Sequence, residues 1–266
     1  MTPSPFAQLR ALTAESFRDA VRRRTAGALV VLALLSLLVV ESCTSCAGGT
    51  FEIDGQLVEG SRIFGWTGMI LYALLALWTI VISGALAADH LEQVLSDGSA
   101  QLVLARPVGR GAFALARLAG ALAVSLGTGA LLLGGTAFFL AARYGLSPGP
   151  AAAGAACAAL GGGIIAALAM TASLYLPRLA TVAAVFVAVA VVTAANVAAL
   201  AGVELSGAWT AIERLAPPLG TGIALAVAEW SGRDLPASPL LVAARLGLWA
   251  AFAPALLVFA FRRKEL

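Results

Sequence analysis

The stretch TVAAVFVAVAVVTAANVAALAGV, residues 181–203, contains no charged residue. An α-helix rises ~1.5 Å per residue, so a run of this length crosses a hydrocarbon core about 30 Å thick. Lipid offers no partner to backbone N–H and C=O groups, and a helix satisfies them within its own segment. The run is therefore read as a membrane-spanning helix at 180–203. Comparable apolar runs occupy 26–47, 64–88, 112–142, 151–176 and 240–261. Composition agrees: 61% of residues are hydrophobic and only 12% charged, where a soluble domain carries about a quarter charged. The sequence predicts an all-α integral membrane protein, one transmembrane domain over 1–266 with six spans, and it excludes a soluble enzyme.

The first run is short for its task. Ala26 to Val40 covers about 22 Å, so the helix is expected to continue past Glu41 toward Ala47, with Glu41 near the outer leaflet. It follows Arg22-Arg23-Arg24, and no small-residue cleavage site comes after it, so it reads as a retained span rather than a signal peptide.

Two regions fall outside the spanning pattern. Residues 4–24 place Phe6, Leu9, Leu12, Phe17 and Val21 on one half of a helical wheel. Gln8, Glu15, Arg18, Asp19 and Arg22 fall on the other half. Such a helix lies in the membrane interface. Residues 204–238 include LAPPLGTGIALAVAEW, which is apolar but too short to cross, followed by the loop SGRDLPASP. A re-entrant segment before the sixth span is expected there.

Basic residues orient the chain. With the N-terminus inside, Arg10, Arg18, Arg22, Arg23, Arg24, Arg106, Arg110, Arg117, Arg178, Arg262, Arg263 and Lys264 are cytoplasmic, 12 of 17. Both termini and the segment 89–111 then face the cytoplasm. The first loop, with Glu52, Asp54 and Glu59, and the region 204–238 face outward.

Chemistry-bearing residues are sparse. One His and three Cys cannot build a His/Cys metal centre, no catalytic residue is assigned, and no basic block indicates nucleic-acid binding. The Gly-rich stretches GTGALLLGG, GGTAFFLAARYG and LGGGIIAAL lack the Gly-Lys-Ser/Thr of a phosphate-binding loop. They lie within spans, where Gly154, Ala158 and Gly162 at spacing four suit close helix packing. Cys43 and Cys46 form a C-x-x-C on the outer side, a candidate for a disulfide, a soft-metal site or a thiol–disulfide relay. Glu41 and Asn196 are candidate pathway residues by their depth. For Asn196 a helix–helix hydrogen bond is the alternative.

The segment between the second and third spans is the most informative. SDGSAQLVLARPVGRGAFALARLAG, from Ser96 to Gly120, runs from an acid and a turn-forming Gly through a short apolar face to a Pro stop and a basic entry into the next span. It resembles the cytoplasmic loop of type-2 ABC transporter permeases, including the nitrous-oxide-reductase maturation permeases. Asp97, Gly98 and Ser99 match the acid and Gly-Thr, Leu102, Val103 and Leu104 the apolar stretch, Arg106 and Pro107 the basic-Pro pair, and Arg110 the following basic residue. Arg117-Leu118-Ala119-Gly120 match the entry to the next span. The acids before Gly98 are sparser than in that family.

The resemblance implies a coupling helix on the hairpin 89–111 that seats on an ABC-type ATPase, with the helix 4–24 as connecting helix beside it. It implies a homodimer of permeases over two ATPases in a bacterial inner membrane. ATP and Mg would be held by the partner and no cofactor by this chain. The expected function is substrate export, or mechanical work on a periplasmic partner. The alternative from another class is a membrane thiol–disulfide oxidoreductase using Cys43 and Cys46.

Overall fold

A computed structural model describes residues 5–22, 50–53, 56–96, 98, 109–232 and 234–264, together with Gly27, Val31, Leu34, Leu35, Leu38 and Ser42. Among the described residues the fold is helical apart from one short hairpin. The elements are α1 (Pro5–Arg22), β1 (Thr50–Ile53), β2 (Gln56–Glu59), α2 (Gly60–Ser96), α3 (Arg110–Tyr144), α4 (Pro148–Ser173), α5 (Arg178–Leu200), α6 (Ala208–Leu215), α7 (Leu219–Ser231) and α8 (Pro239–Arg263).

Five helices are long and apolar enough to cross a membrane: Trp66–Val94 within α2, and α3, α4, α5 and α8. The chain is a multi-pass membrane protein. The expected span 26–47 lies outside the described residues except for six positions. Those six are helical, share one stripe of a 3.6-residue period and are exposed.

Two expectations change. The second span was placed at 64–88, yet α2 runs from Gly60 to Ser96. Hydropathy marks only the part of a helix that needs lipid, and His90–Ser96 continue it beyond. The first part of the expected hairpin 89–111 is therefore the end of α2. The outer loop expected at the first crossing contains the antiparallel pair β1–β2, with Ile53 opposite Gln56 and Thr50 opposite Glu59. Asp54-Gly55 fall between them in sequence, a pair favoured in two-residue hairpins.

The core forms around α4, which packs against α2, α3, α7 and α8. Small residues make this possible. A Cβ at Gly154 would lie 2.9 Å from the Tyr72 ring, and one at Gly161 2.9 Å from both Ile80 and Leu219. Ala158 is fully buried between them. In lipid, where apolar surface gains nothing by leaving solvent, such close approach is a main source of helix association. The expected small-residue packing stripe on the fourth span thus faces α2 and α7.

Hydrogen bonds identify the two ends of the bundle. At one end the Tyr72 hydroxyl donates to Ala151 O at 2.6 Å and Trp230 Nε1 to Ser147 O at 2.7 Å. At the other, Arg110 Nη1 donates to Lys264 O at 2.9 Å, and Lys264 Nζ to Leu174 O. This second end, with Arg110, Arg178, Arg262, Arg263 and Lys264, is the basic end.

The region 204–238 contains two helices that pack on the spans. α7 begins beside Gly161 and Ile80, mid-way along α4 and α2, and ends at Trp230 beside Ser147. It therefore covers only half the bundle height. α6 precedes it across Pro217-Pro218. The carbonyls at the end of α6 are held by one side chain, since Arg245 Nη2 donates to Glu213 O, Arg214 O and Ala216 O at 2.6, 2.9 and 2.9 Å. The N-terminus of α7 is held by another, the Asn196 Oδ1 that accepts from the Gly220 N–H at 3.1 Å. A cation thus meets the negative end of one helix and an acceptor the positive end of the next.

Candidate functional site

The motif of greatest interest, Asp97 to Pro107, lies outside the described residues except for Gly98, as do Glu41, Cys43 and Cys46. What the structure describes is the base on which that motif stands. α2 leads into it and α3 leads out. Gly98 has φ +73°, a left-handed conformation that glycine adopts without strain just past a helix end. Arg110 opens α3 and reaches the C-terminal end of α8 through Lys264 O.

α1 lies across both arms. Phe113, Arg117, Gly120 and Val124 follow one face of α3 at helical spacing and are buried. The ridge of α1 that meets them is Ser16, Asp19 and Ala20. Ser16 sits so near Gly120 that a Cβ there would lie 2.9 Å from the Ser16 backbone carbon. Ala20 packs on Val124 with Leu86 alongside.

The apolar half of the α1 wheel is turned away from the bundle: Phe17 and Val21 are 41% and 50% exposed while Ser16 and Ala20 are buried. The face toward the protein is the small one, and the bulky apolar residues point away from it, as a helix lying in a membrane interface requires.

Polar groups lock the junction. Ser16 Oγ lies 2.8 Å from His90 Nε2, and Arg117 Nη1 lies 3.5 Å from the same nitrogen. A guanidinium only donates, so Nε2 acts as acceptor, the ring proton sits on Nδ1, and the Ser16 hydroxyl donates. Arg117 Nη1 also donates to Asp19 Oδ2 at 2.9 Å, and its guanidinium lies 5.4 Å from the Phe113 ring centroid. Residues 89 and 90 are about 100° apart on α2, so Asp89 faces a different neighbour: Arg178 Nε, at the start of α5, lies 3.0 Å from its Oδ1. Ser16, Asp89, His90 and Arg117 are all buried.

The arrangement therefore ties α2 to α1 and α5, and α3 to α1 and α8, within about three turns of the motif's two ends. Its contacts join helix to helix: the Ser16 hydroxyl and the His90 imidazole it donates to are both buried, 1% and 2% exposed. Among the described residues no group of three His, Cys, Asp or Glu side chains could hold a metal ion.

Asn196, a candidate pathway residue, is 1% exposed and bonded to Gly220. The sequence reading missed the cluster as a unit. It had noted Arg117 within the motif and given His90 no role. The only sequence signal is that Asp89-His90 and Arg117 sit at the ends of consecutive spans; that Ser16 meets them depends on how α1 crosses.

No family model matches the sequence, and no curated protein matches it.

Proposed function

We propose that the chain is the permease subunit of an ABC transporter, with the basic end in the cytoplasm and the segment from Asp97 to Arg110 seated on a partner ATPase. One observation carries the reading: the hairpin bearing that segment is fastened at both arms, through His90 and Arg117, to the interfacial helix α1. A push delivered to the hairpin would then move α1, α2 and α3 together instead of bending a loop. In this reading the chain binds no nucleotide. It works with a second copy of itself, and its output is export of a substrate or mechanical work on a periplasmic partner. Binding and hydrolysis shift the spans only through differing contacts of the ATPase with their two arrangements.

The test is co-purification of the chain with an ABC-type ATPase from its native membranes. Leu102→Asp, Val103→Asp or Leu104→Asp should each lose the ATPase or at least the coupled ATP hydrolysis. Normal co-purification and normal hydrolysis in all three would contradict the proposal. Uptake of labelled compounds into inverted vesicles then separates export from mechanical work.

A further inference from the structure

A cavity of about 670 Å³ opens between α4, α7 and α8 at the end of the bundle opposite the basic end. That volume is in the range of small-molecule sites, about 300–1,000 Å³. It exists because the facing residues are small: Ala153, Ala156 and Cys157 on α4, Gly222 and Ala226 on α7, Ala243 on α8. Its polarity is graded along the membrane normal. Leu160, Leu225 and Leu246 line the deep part, a distance of about 10 Å below the mouth by the seven-residue separation of Ala153 from Leu160. Among the described residues the charged side chains lining it are Glu229, in the last turn of α7, and Asp234, in the link to α8. Both residues are exposed, and no ion pair among the described residues involves either.

We propose that this cavity binds an amphipathic organic cation, its apolar body between α4 and α8 and its charged head between Glu229 and Asp234. An apolar shaft alone would accept any lipid tail. The two carboxylates at its mouth select the head: they repel phosphate and carboxylate headgroups and attract an ammonium or similar cation. Among the described residues Ala153, Ala156, Leu160 and Ala243 of its lining are exposed, so the cavity opens on the side of the bundle as well as at its mouth. Cys157 and Gly222 form one wall, and a Cβ at Gly222 would lie 3.1 Å from Cys157 Sγ, so the shaft has a fixed width there.

The inference does not rest on the transporter reading, because binding is measured on the chain alone. The full chain is placed in lipid nanodiscs and titrated with radiolabelled octyltrimethylammonium, with empty nanodiscs subtracted. Saturable binding is expected, displaced by unlabelled octyltrimethylammonium and not by octyl sulfate, which has the same tail and the opposite head. That pair reads the sign of the whole site's field, the contribution of neighbouring Arg233 included. The double variant Glu229→Gln/Asp234→Asn should bind about tenfold more weakly. Ala156→Phe, at an exposed position whose side chain would fill the shaft, should abolish saturable binding. The proposal is overturned by no binding above empty nanodiscs, by equal displacement with octyl sulfate, which would mark an unselective lipid groove, or by wild-type affinity in the double variant. Retained binding in Ala156→Phe would place the ligand elsewhere and overturn it as well.

Discussion

Replacing Gly120 by Ala should detach α1 from the bundle while leaving the spans in place. The added Cβ would fall on the Ser16 side chain and 2.9 Å from its backbone carbon. A rotamer change cannot relieve a clash with backbone, so α1 itself must move. Moving it breaks the Ser16–His90 hydrogen bond, worth about 1 kcal/mol. It also loosens the Asp19–Arg117 pair, which is worth at most ~1 kcal/mol because the Asp19 side chain is 41% exposed. Separation of Ala20 from Val124 adds about 0.5–1 kcal/mol of lost packing. Together these weaken docking by about 2–3 kcal/mol, the range seen when a tight contact is overfilled. Each 1.4 kcal/mol is a factor of ten in an equilibrium, so the undocked population rises roughly 30- to 100-fold. The assay is the labelling rate of an Ala20→Cys reporter by a water-soluble maleimide, in a background with Cys43, Cys46 and Cys157 replaced by Ser. Ala20 is 8% exposed, so labelling requires opening. A Phe17→Cys reporter, already exposed, should label at one rate with or without the Gly120 change. Unchanged Ala20→Cys labelling in Gly120→Ala would refute the docking argument.

Other perturbations follow from the same contacts. Arg178→Ala removes the cation 3.0 Å from the buried Asp89 carboxylate; the thermal midpoint should fall by an amount corresponding to about 1–2 kcal/mol, since the Arg178 side chain is half exposed, and Asp89→Asn in the same chain should recover part of it. Arg245→Leu removes the donor to Glu213 O, Arg214 O and Ala216 O. Amide exchange in residues 208–216 should speed up by at least about tenfold with α2 and α4 unchanged. Asn196→Leu strips the acceptor from the Gly220 N–H and should cost about 1–2 kcal/mol in unfolding by denaturant.

How much of this was legible in the sequence depends on which force shapes each element. Spans are set by length and apolarity, both properties of a linear run, so the expected ranges for α3, α4, α5 and α8 agree with the structure to within a few residues. The polar extensions of α2 are invisible to hydropathy, because nothing in Asp89–Ser96 needs lipid. The β-hairpin was visible in principle, as Asp54-Gly55 between two short alternating runs, but in a chain of spanning helices the segment passed for a plain loop. Which residues of α1 meet the protein is not given by its amphipathic pattern. In water the apolar face is the buried one. At a membrane it is the face toward lipid, and the contact with protein falls to residues chosen for size, here Ser16 and Ala20. The cluster around His90 and Arg117 is assembled by a crossing that no one-dimensional pattern encodes.

The burial of the spans shows which parts of the bundle can move against which. The most apolar windows of α2 and α4 are each 56% buried, those of α5 and α8 only 22%. α2 and α4 meet with the Tyr72 ring and the Ile80 side chain of α2 seated against Gly154 and Gly161 of α4, so sliding one past the other would drive those side chains into the residues flanking the glycines. They form a stiff unit. α5 and α8 are less enclosed: α5 is joined to α2 by Arg178–Asp89 and to α7 by Asn196–Gly220, while α8 packs on the core through Leu246, Ala253, Leu257 and Phe261 and is joined to α4 by Lys264–Leu174 and to α6 by Arg245. In the proposed reading, force entering at the hairpin acts on α2 and therefore on α4 at once, and the relative motion it produces must appear at the boundaries with α5 and α8. The cavity proposed to take an amphipathic cation lies on one of these boundaries, between α4 and α8 beside α7. A rigid α2–α4 unit shifting against α8 would change the width of that cavity from the basic end, without any residue of the basic end touching it.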